Sequence, residues 1–210
     1  MRIIINNRDK DTADVFSWRF RDLPEVETVL GPFEQLPAFD CIATAGNCFG
    51  LMDAGLDLAV VRFFGRHVMD EIQRRILGDY LGEQPVGTSF IVGTGHPAHP
   101  FVAHTPTMRV PMNIDRTDNV YLAAWATLLA VHHHNRSDAP RIGSLVMPGF
   151  GTGTGGVDPL EASLQMRLAC EHYLRPAERI NPSLAQSRYE KVHYGGRWGL
   201  EHPRPNGNNR

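Results

Sequence analysis

The feature that most constrains the fold of this sequence is a set of short apolar segments without alternation of apolar and polar residues. Arg2–Asn6 and Ile142–Met147 are the clearest, and Cys41–Ala45 is a smaller third. Uninterrupted apolar runs of this length predict strands that are buried on both faces, as in parallel sheets. Further strand candidates are Val26–Leu30, Ser89–Val92 and Phe101–Thr105.

Segments with helical periodicity lie between these strand candidates. Asp158–Glu161 predicts a helix start clearly, because it supplies an N-cap, a proline at the first helical position and a glutamate at the third. The predicted helices are Asp11–Phe20 with Asp11 as its cap, Gly55–Leu77 with a break at Gly65, Asn119–His134, and a helix from Asp158 to about Leu174. This order predicts an α/β protein: a three-layer α/β/α sandwich around a mixed, mostly parallel central sheet.

The composition favours one folded domain with an appendage. Hydrophobic residues make up 42% of the 210 residues and charged residues 21%, which excludes wholesale disorder. We expect a single domain over residues 1–175, because the composition then shifts to Pro, Asn, Arg and Gly. In the C-terminal extension, residues 176–210, Tyr189, Tyr194 and Trp198 are expected anchors, and Pro203–Arg210 is an expected frayed tail.

Charge and cysteine content indicate which binding partners and which cellular compartment to expect. The formal net charge of −2 disfavours general binding to long nucleic acid. The longest apolar stretch, Tyr121–Val131, falls well short of the roughly 20 residues that cross a bilayer, so we expect no membrane association. Three cysteines without a CxxC pair indicate reduced thiols and therefore a cytoplasmic protein. The oligomeric state is left open.

Two unusual loops follow predicted strands. Ala45–Asp57 is the first, and Pro148–Val157 is the second, with five glycines between Gly149 and Gly156. Glycines let backbone N–H groups approach an anion, and the following helix start adds its positive dipole end, so a phosphate or diphosphate cradle is predicted. The late position of this loop, and the lack of an acid on a strand about 20 residues on, argue against a nicotinamide-binding fold. A purely structural glycine loop stays an alternative.

Asn47 and Asp57, ten residues apart, are the polar candidates of the first loop. An amide can orient a sugar hydroxyl or a water, and a carboxylate can accept a hydroxyl proton or activate that water. Taken singly, Asn47 is explained as a turn former and Asp57 as an ordinary acid in the first turn of a helix. Together, opposite a phosphate loop, they indicate a site.

These segments resemble the macro domain family. Asn47–Ala59 (NCFGLMDAGLDLA) is similar to the family motif in which an asparagine ends a strand and an aspartate follows ten residues later. Pro148–Gly156 (PGFGTGTGG) resembles the family's second loop, and Val102–Thr105 (VAHT) resembles its strand ending in His-Thr. The order of strands and helices matches from about residue 24 to 175, the expected core.

Macro domains bind ADP-ribose, and many remove it from proteins or cleave groups from its distal ribose. The resemblance implies that Asn47 and Asp57 are catalytic, Asn47 holding the distal ribose and Asp57 holding a ribose hydroxyl or activating water. The implied partner is ADP-ribose or a derivative, free or protein-linked, with no cofactor and no metal. The implied ligand-binding residues are Phe33, Asp53, Gly55, Phe150, Gly151, Thr152, Gly153, Thr154, Gly155 and Gly156.

The sequence departs from the family pattern at three places. Met52–Ala54 replaces a run of glycines, which makes the first loop stiffer and adds the charge of Asp53. Pro32 stands where members often have an aspartate that contacts the adenine amine, so Glu34 or Phe33 would have to contact the base. Gly155 replaces an aromatic residue of the distal-ribose pocket, which predicts either room for a bulkier derivative or weaker catalysis.

Other chemistry has less support. His96, His99, His104 and Cys48 could hold zinc, but no ligand spacing supports this, and His132–His134 fit a solvated helix end. Ser144 and Ser163 lack the G-x-S-x-G elbow of α/β-hydrolases. Three hypotheses follow: a hydrolase acting at the distal ribose of an ADP-ribose derivative, a binding module without turnover, and an enzyme acting on RNA ends or nucleotide phosphates.

Overall fold

The computed structural model describes residues 1–137 and 139–191, without the side chains of residues 189–191. The expected anchors Tyr194 and Trp198, the side chain of Tyr189 and the expected tail Pro203–Arg210 therefore lie outside the described residues.

Within the described residues the chain forms eight strands, six α-helices and one 3₁₀-helix, Phe33–Gln35. The strands are β1 (Arg2–Asn7), β2 (Val26–Leu30), β3 (Cys41–Ala43), β4 (Gly46–Asn47), β5 (Phe90–Gly93), β6 (Phe101–His104), β7 (Pro106–Met108) and β8 (Ser144–Pro148). The helices are α1 (Lys10–Phe20), α2 (Gly55–Phe64), α3 (Arg66–Tyr80), α4 (Asn119–His134), α5 (Pro159–Leu174) and α6 (Pro182–Lys191).

The helix boundaries follow local sequence signals. Gly65, with φ of 107°, separates α2 from α3 at the predicted break. The side chain of Asp158 caps α5 as predicted, since it accepts a hydrogen bond from the N–H of Leu160 at 2.8 Å. The predicted cap of α1 is wrong: Asp9, not Asp11, accepts the N–H of Thr12 at 2.8 Å, and Asp11 lies inside the first turn.

The central sheet has six strands in the order β2-β1-β8-β3-β6-β5. All neighbouring pairs are parallel except β5 and β6, which confirms a mixed, mostly parallel sheet. A second small sheet pairs β4 with β7 in parallel. Strand β1 lies inside the large sheet, so the residues before 24 belong to the core of the fold.

The two faces of the sheet carry separate apolar clusters. In β1, Ile3 and Ile5 point into the cluster formed with α1, α4 and α5, whereas Ile4 points into the cluster formed with α2 and α3. All three side chains are at most 2% exposed. Alternate residues of one strand therefore serve two buried faces, which is why the segment is apolar without alternation and why three layers form.

Helix α6 was not predicted from the sequence. It follows Asn181, whose side chain accepts the N–H of Leu184 at 2.8 Å, a cap within a stretch that is otherwise rich in proline and polar residues. The guanidinium of Arg188 lies 5.4 Å from the centre of the Trp125 ring on α4, which ties α6 to the body of the protein. Among residues 1–137 and 139–191, no helix has the length and apolarity to cross a membrane.

Candidate functional site

A cleft opens where the parallel strands end, between the glycine loop after β8 (Gly149–Val157) and the start of α2. It consists of two adjoining chambers. The Asp57 chamber has a volume of about 270 Å³ and is bounded also by Asn47 and Gly155. The Phe33 chamber has a volume of about 390 Å³ and is bounded also by Asn6 and Thr12. The residues shared by both chambers are Leu56, Pro148, Gly149 and Gly153.

The N-terminus of α2 points at the junction of the chambers. Its N-cap residue, Ala54, offers no side-chain acceptor to the first turn. Gly55, with φ of 54°, lines the Asp57 chamber, and Leu56 lines both chambers. Because the first N–H groups of a helix lack partners within it and carry the positive dipole end, this junction favours an anion.

The glycine loop is held in shape by its own hydrogen bonds. The hydroxyl of Thr152 donates to the carbonyl of Gly149 at 2.8 Å, and the N–H of Val157 donates to the carbonyl of Gly151 at 3.0 Å. Gly151 has φ of 78°, and a Cβ there would lie 2.7 Å from Cγ2 of Val120. Gly153 differs, since a Cβ there would meet no atom within 4 Å. A side chain at Gly153 would therefore begin in open space, and Gly153 borders both chambers.

Gly155 lines the Asp57 chamber at a point where the backbone is tightly packed. A Cβ at this position would lie 2.6 Å from the carbonyl oxygen of Gly151 and 2.9 Å from Cγ1 of Ile114. A larger side chain at this position would therefore collide with Ile114 and the loop backbone, and the expectation of room for a bulkier derivative or of weaker catalysis stays a prediction.

Two of the predicted ligand-binding residues do not border the cleft. The side chain of Phe150 is fully buried in the core among Ile114, Val120 and Val157, so it lines neither chamber. Gly156, with φ of 67°, also lines neither, and a Cβ there would lie 2.5 Å from Nδ2 of Asn113. The glycines on either side of Phe150 shape a turn that directs its side chain into the core. The sequence pattern does not indicate this direction.

The remaining predicted residues border the cleft. Asp53 and Thr154 line the Asp57 chamber, and Thr152 and Phe33 line the Phe33 chamber. Phe33 is 2% exposed, and its ring packs edge-on against Phe63 at a centroid distance of 5.4 Å. It therefore offers the chamber a ring edge within an aromatic cluster rather than a free face.

Asn47 is engaged by the loop that it begins. Its Oδ1 accepts the N–H groups of Phe49 and Leu51 at 3.1 and 3.2 Å, and its Nδ2 donates to the carbonyl of Leu51 at 2.8 Å. This is the behaviour of a turn-forming asparagine. The side chain still lines the Asp57 chamber, with one N–H of its amide beyond these bonds.

Asp57 is the buried carboxyl of the site. It lies in the first turn of α2 and is 7% exposed. Burial raises the pKa of Asp57 to about 7, the nearby charge of Asp53 adds to that, and the backbone N–H of Ala45 opposes it. Its Oδ1 has no hydrogen-bond partner among the described residues. Asp57 therefore gains and loses its proton near neutral pH, where an acid or base is most useful.

His104 lies behind the Asp57 chamber at the end of β6. It is fully buried, and burial lowers the pKa of His104 to about 3, so its ring is neutral. Its Nδ1 lies 2.7 Å from Oε1 of Gln84, away from the other histidines considered as metal ligands. His96 and His99 instead stack on each other with a centroid distance of 4.8 Å. Among the described residues, no three His, Cys, Asp or Glu side chains are grouped to hold a metal ion.

Comparison with known proteins places this fold in a family. The family model described as Macro domain matches residues 43–166, more than half of the chain. The chain belongs to the macro domain family.

Solved macrodomains share the fold at low sequence identity. The macrodomain of Mycobacterium tuberculosis DarG has 20% identity and a TM-score of 0.56, with 69% of this chain and 88% of that chain covered. A glycine-to-valine variant of the Oceanobacillus iheyensis macrodomain with ADPR has 19% identity and a TM-score of 0.56, with coverages of 67% and 73%. The Trypanosoma brucei macrodomain in complex with ADP-ribose has 16% identity and a TM-score of 0.52, with coverages of 84% and 59%. No curated protein sequence matches this chain.

Sequence reasoning missed the supports of the site in this macro domain. Asn7, at the end of β1, accepts the N–H of Gly149 at 3.2 Å, and Ile114 closes the floor under Gly155. Gln84 fixes the ring of His104. The pair Asn6-Asn7 at the end of an apolar strand was the one available signal, since ligands of parallel sheets bind beyond the carboxyl ends of the strands. Gln84 and Ile114 come from distant segments, and no local pattern indicates their positions.

Proposed function

We propose that this macro domain binds ADP-ribose or a derivative of it, with the diphosphate at the junction of the two chambers. The observation that carries this proposal is the meeting of the α2 N-terminus and the open backbone of Gly153 at one point between two chambers. A diphosphate with an adenosine at one end and a ribose at the other has this shape and charge. Backbone N–H groups and a helix dipole suit its charge, and Arg8, which lines the Phe33 chamber, adds a positive side chain.

The distal ribose is assigned to the Asp57 chamber and the adenosine to the Phe33 chamber. The Asp57 chamber presents Asp57 and the amide of Asn47, which suit hydroxyl groups. The Phe33 chamber combines Phe33, Ile42 and Val146 with Asn6 and Thr12, which suits a flat base with polar edges. This assignment needs no contact between the base and residue 32, because the walls of the Phe33 chamber would hold the base.

Solved relatives support this assignment by their ligands and variants. The Trypanosoma brucei macrodomain was solved with ADP-ribose and with ADP, and the Oceanobacillus iheyensis macrodomain with ADP. Two Oceanobacillus iheyensis variants replace an asparagine and an aspartate that are ten positions apart, the separation of Asn47 and Asp57 here.

We further propose that the protein hydrolyses a substituent or a protein linkage at the distal ribose. Because the pKa of Asp57 is raised to about 7 by burial, its carboxyl can donate a proton to a leaving oxygen and take one from water. The substrate's own phosphate would share this proton handling, and the amide of Asn47 would position the ribose. In the described lining of the Asp57 chamber, Asp53 and Asp57 are the titratable side chains.

A binding module without turnover is the second candidate. It is favoured by the side chain of Asn47, whose Oδ1 and one N–H are used by the 49–51 backbone rather than offered to the cleft. Such a module would return its ligand chemically unchanged after long incubation.

The experiment measures release of ADP-ribose from mono-ADP-ribosylated protein and from O-acetyl-ADP-ribose. We expect turnover by the wild type and loss of about 100-fold or more in Asp57→Ala, in the range of a lost general acid or base. Asp70→Ala, an exposed carboxyl on α3 that pairs with Arg66, is the matched control. Binding of ADP-ribose with no release from either substrate would leave only the binding module, and no binding at all would contradict both.

A further inference from the structure

The carboxyl of Asp57 and the ring of His104 both lie against Gly46 in the floor of the Asp57 chamber. Within the described residues, three buried side-chain atoms lack a hydrogen-bond partner: Oδ1 of Asp57, Nε2 of His104 and Nε of Arg188. A Cβ at residue 46 would lie 2.7 Å from Nε2 of His104 and 3.3 Å from Oδ2 of Asp57. Asp57 and His104 therefore lie against the same face of Gly46, and unsatisfied buried groups of this kind require an explanation.

The ring orientation of His104 is fixed from behind by Gln84. Nε2 of Gln84 donates to the carbonyl of His104 at 3.5 Å, so its Oε1 is the atom that faces Nδ1 at 2.7 Å. The backbone N–H of Gln84 donates to the carbonyl of Cys48 at 2.8 Å, which anchors the residue in turn. An amide oxygen only accepts, so Nδ1 carries the hydrogen and Nε2 presents a lone pair toward Gly46.

We propose that His104 is a positioning residue for Asp57: its neutral ring, locked by Gln84 with the Nε2 lone pair toward the carboxyl across Gly46, favours the protonated form of Asp57. A lone pair opposes a nearby carboxylate, whereas an N–H in the same place would stabilise it. Asp57 thereby enters the chamber as a hydrogen-bond donor to the ligand. The consequence for turnover rests on the proposed function, but the protonation of Asp57 does not.

Two other groups also influence the protonation of Asp57. Among the described residues, Asp53, on the loop before α2, also favours the protonated form, and the N–H of Ala45 favours the carboxylate. Asp53 is exposed at the mouth of the cleft, so solvent screens its effect more than that of buried His104. Gly46 is glycine here for space, because any side chain would collide with the ring of His104.

The test follows the titration of the Asp57 carboxyl by carbon-13 NMR in the full chain, with Asp57→Asn to assign the signal. In His104→Gln the new amide can turn an N–H toward the carboxyl, and in Gln84→Leu the ring is free to carry its hydrogen on Nε2. We expect both variants to lower the Asp57 midpoint by about one pH unit or more. His99→Gln, which changes a buried histidine packed on Phe39, is the matched control and leaves the midpoint in place.

A second measurement keeps the proposal testable where a buried substitution prevents folding. Nitrogen-15 NMR of the wild type reports which ring nitrogen of His104 carries the hydrogen. We expect Nδ1 protonated and Nε2 unprotonated at neutral pH. A hydrogen on Nε2, or an unchanged Asp57 midpoint in both folded variants, would overturn the proposal while leaving ADP-ribose binding as a separate question.

Discussion

The buried carboxyl of Asp57 makes the stability of the fold depend on pH. Its pKa is raised by burial to about 7, above the value of 3.8 that an unperturbed aspartate has. The folded state therefore holds a proton that the unfolded state releases, so folding loses free energy as pH rises from about 4 to about 7. The three-unit difference corresponds to about 4 kcal/mol at most, since each unit is worth about 1.4 kcal/mol.

Asp57→Asn is therefore expected to stabilise the protein at high pH. The amide is neutral at every pH, so the gain in free energy of unfolding should reach about 2–4 kcal/mol at pH 8 and vanish near pH 4. Urea unfolding of the two proteins at pH 5, 6, 7 and 8 measures it. A gain that does not depend on pH would show that Asp57 does not titrate in this range.

Substitutions at Gly153 and Gly155 are expected to have different effects, the first on ligand binding and the second on the stability of the fold, although the two residues are close in sequence. Gly153→Leu should leave stability nearly unchanged and weaken ADP-ribose binding strongly, because a Cβ there meets no protein atom within 4 Å and Gly153 borders both chambers. Gly155→Leu should instead destabilise the fold by about 1–3 kcal/mol, since its side chain meets the carbonyl of Gly151 and the side chain of Ile114. Calorimetric titration and thermal unfolding of both variants distinguish the two effects; equal losses of binding and stability in Gly153→Leu would contradict this division.

At the level of elements, the N-terminus of α5 isolates a purely structural signal. Asp158 accepts the N–H of Leu160 at 2.8 Å and is exposed, and it lines neither chamber. Asp158→Ala should cost about 1 kcal/mol of stability, and Asp158→Ser much less, because serine also caps. ADP-ribose affinity should be the same in all three proteins. A changed affinity would indicate that this helix start, like that of α2, belongs to the site.

Elements with strong local signals were predictable from the sequence, and those made by distant contacts were not. Gly65 ends α2 and Asp158 caps α5, so the break between α2 and α3 and the start of α5 could be predicted from local residues. Helix α4 was also predicted at its true bounds from its helical periodicity. Strands β4 and β7 have only two and three residues and exist through their pairing with each other, which no local pattern indicates.

The candidate site was predicted in outline for the same reason. Asn47, Asp57 and the glycine loop follow strand ends, and strand ends meet at one edge of a parallel sheet. Whether a side chain points into the cleft depends on tertiary packing. Phe150 turns into the core, and His104 turns toward Gln84 and Gly46, and the sequence pattern indicates neither direction.

For the whole molecule, we propose that residues 1–175 are the binding unit and residues 176–210 an extension. The sheet, both apolar clusters and both chambers lie within the first 175 residues. A chain ending at residue 175 should therefore fold and bind ADP-ribose with unchanged affinity, with a small loss of stability from the Arg188–Trp125 contact. Calorimetry and thermal unfolding of the shortened chain measure this, and a loss of affinity would place the extension in the site.

The central claim is that one ligand spans both chambers with its diphosphate at their junction. The most direct measurement is the thermal unfolding of the full chain with ADP-ribose, AMP and ribose 5-phosphate at equal concentrations, for the wild type and Gly153→Leu. At 100 times its dissociation constant a ligand adds about 2.7 kcal/mol of stability, so ADP-ribose should raise the wild-type Tm by about 5 °C or more. AMP and ribose 5-phosphate should raise it far less, and Gly153→Leu should not respond. A wild-type melting curve that saturating ADP-ribose leaves unmoved would contradict the claim.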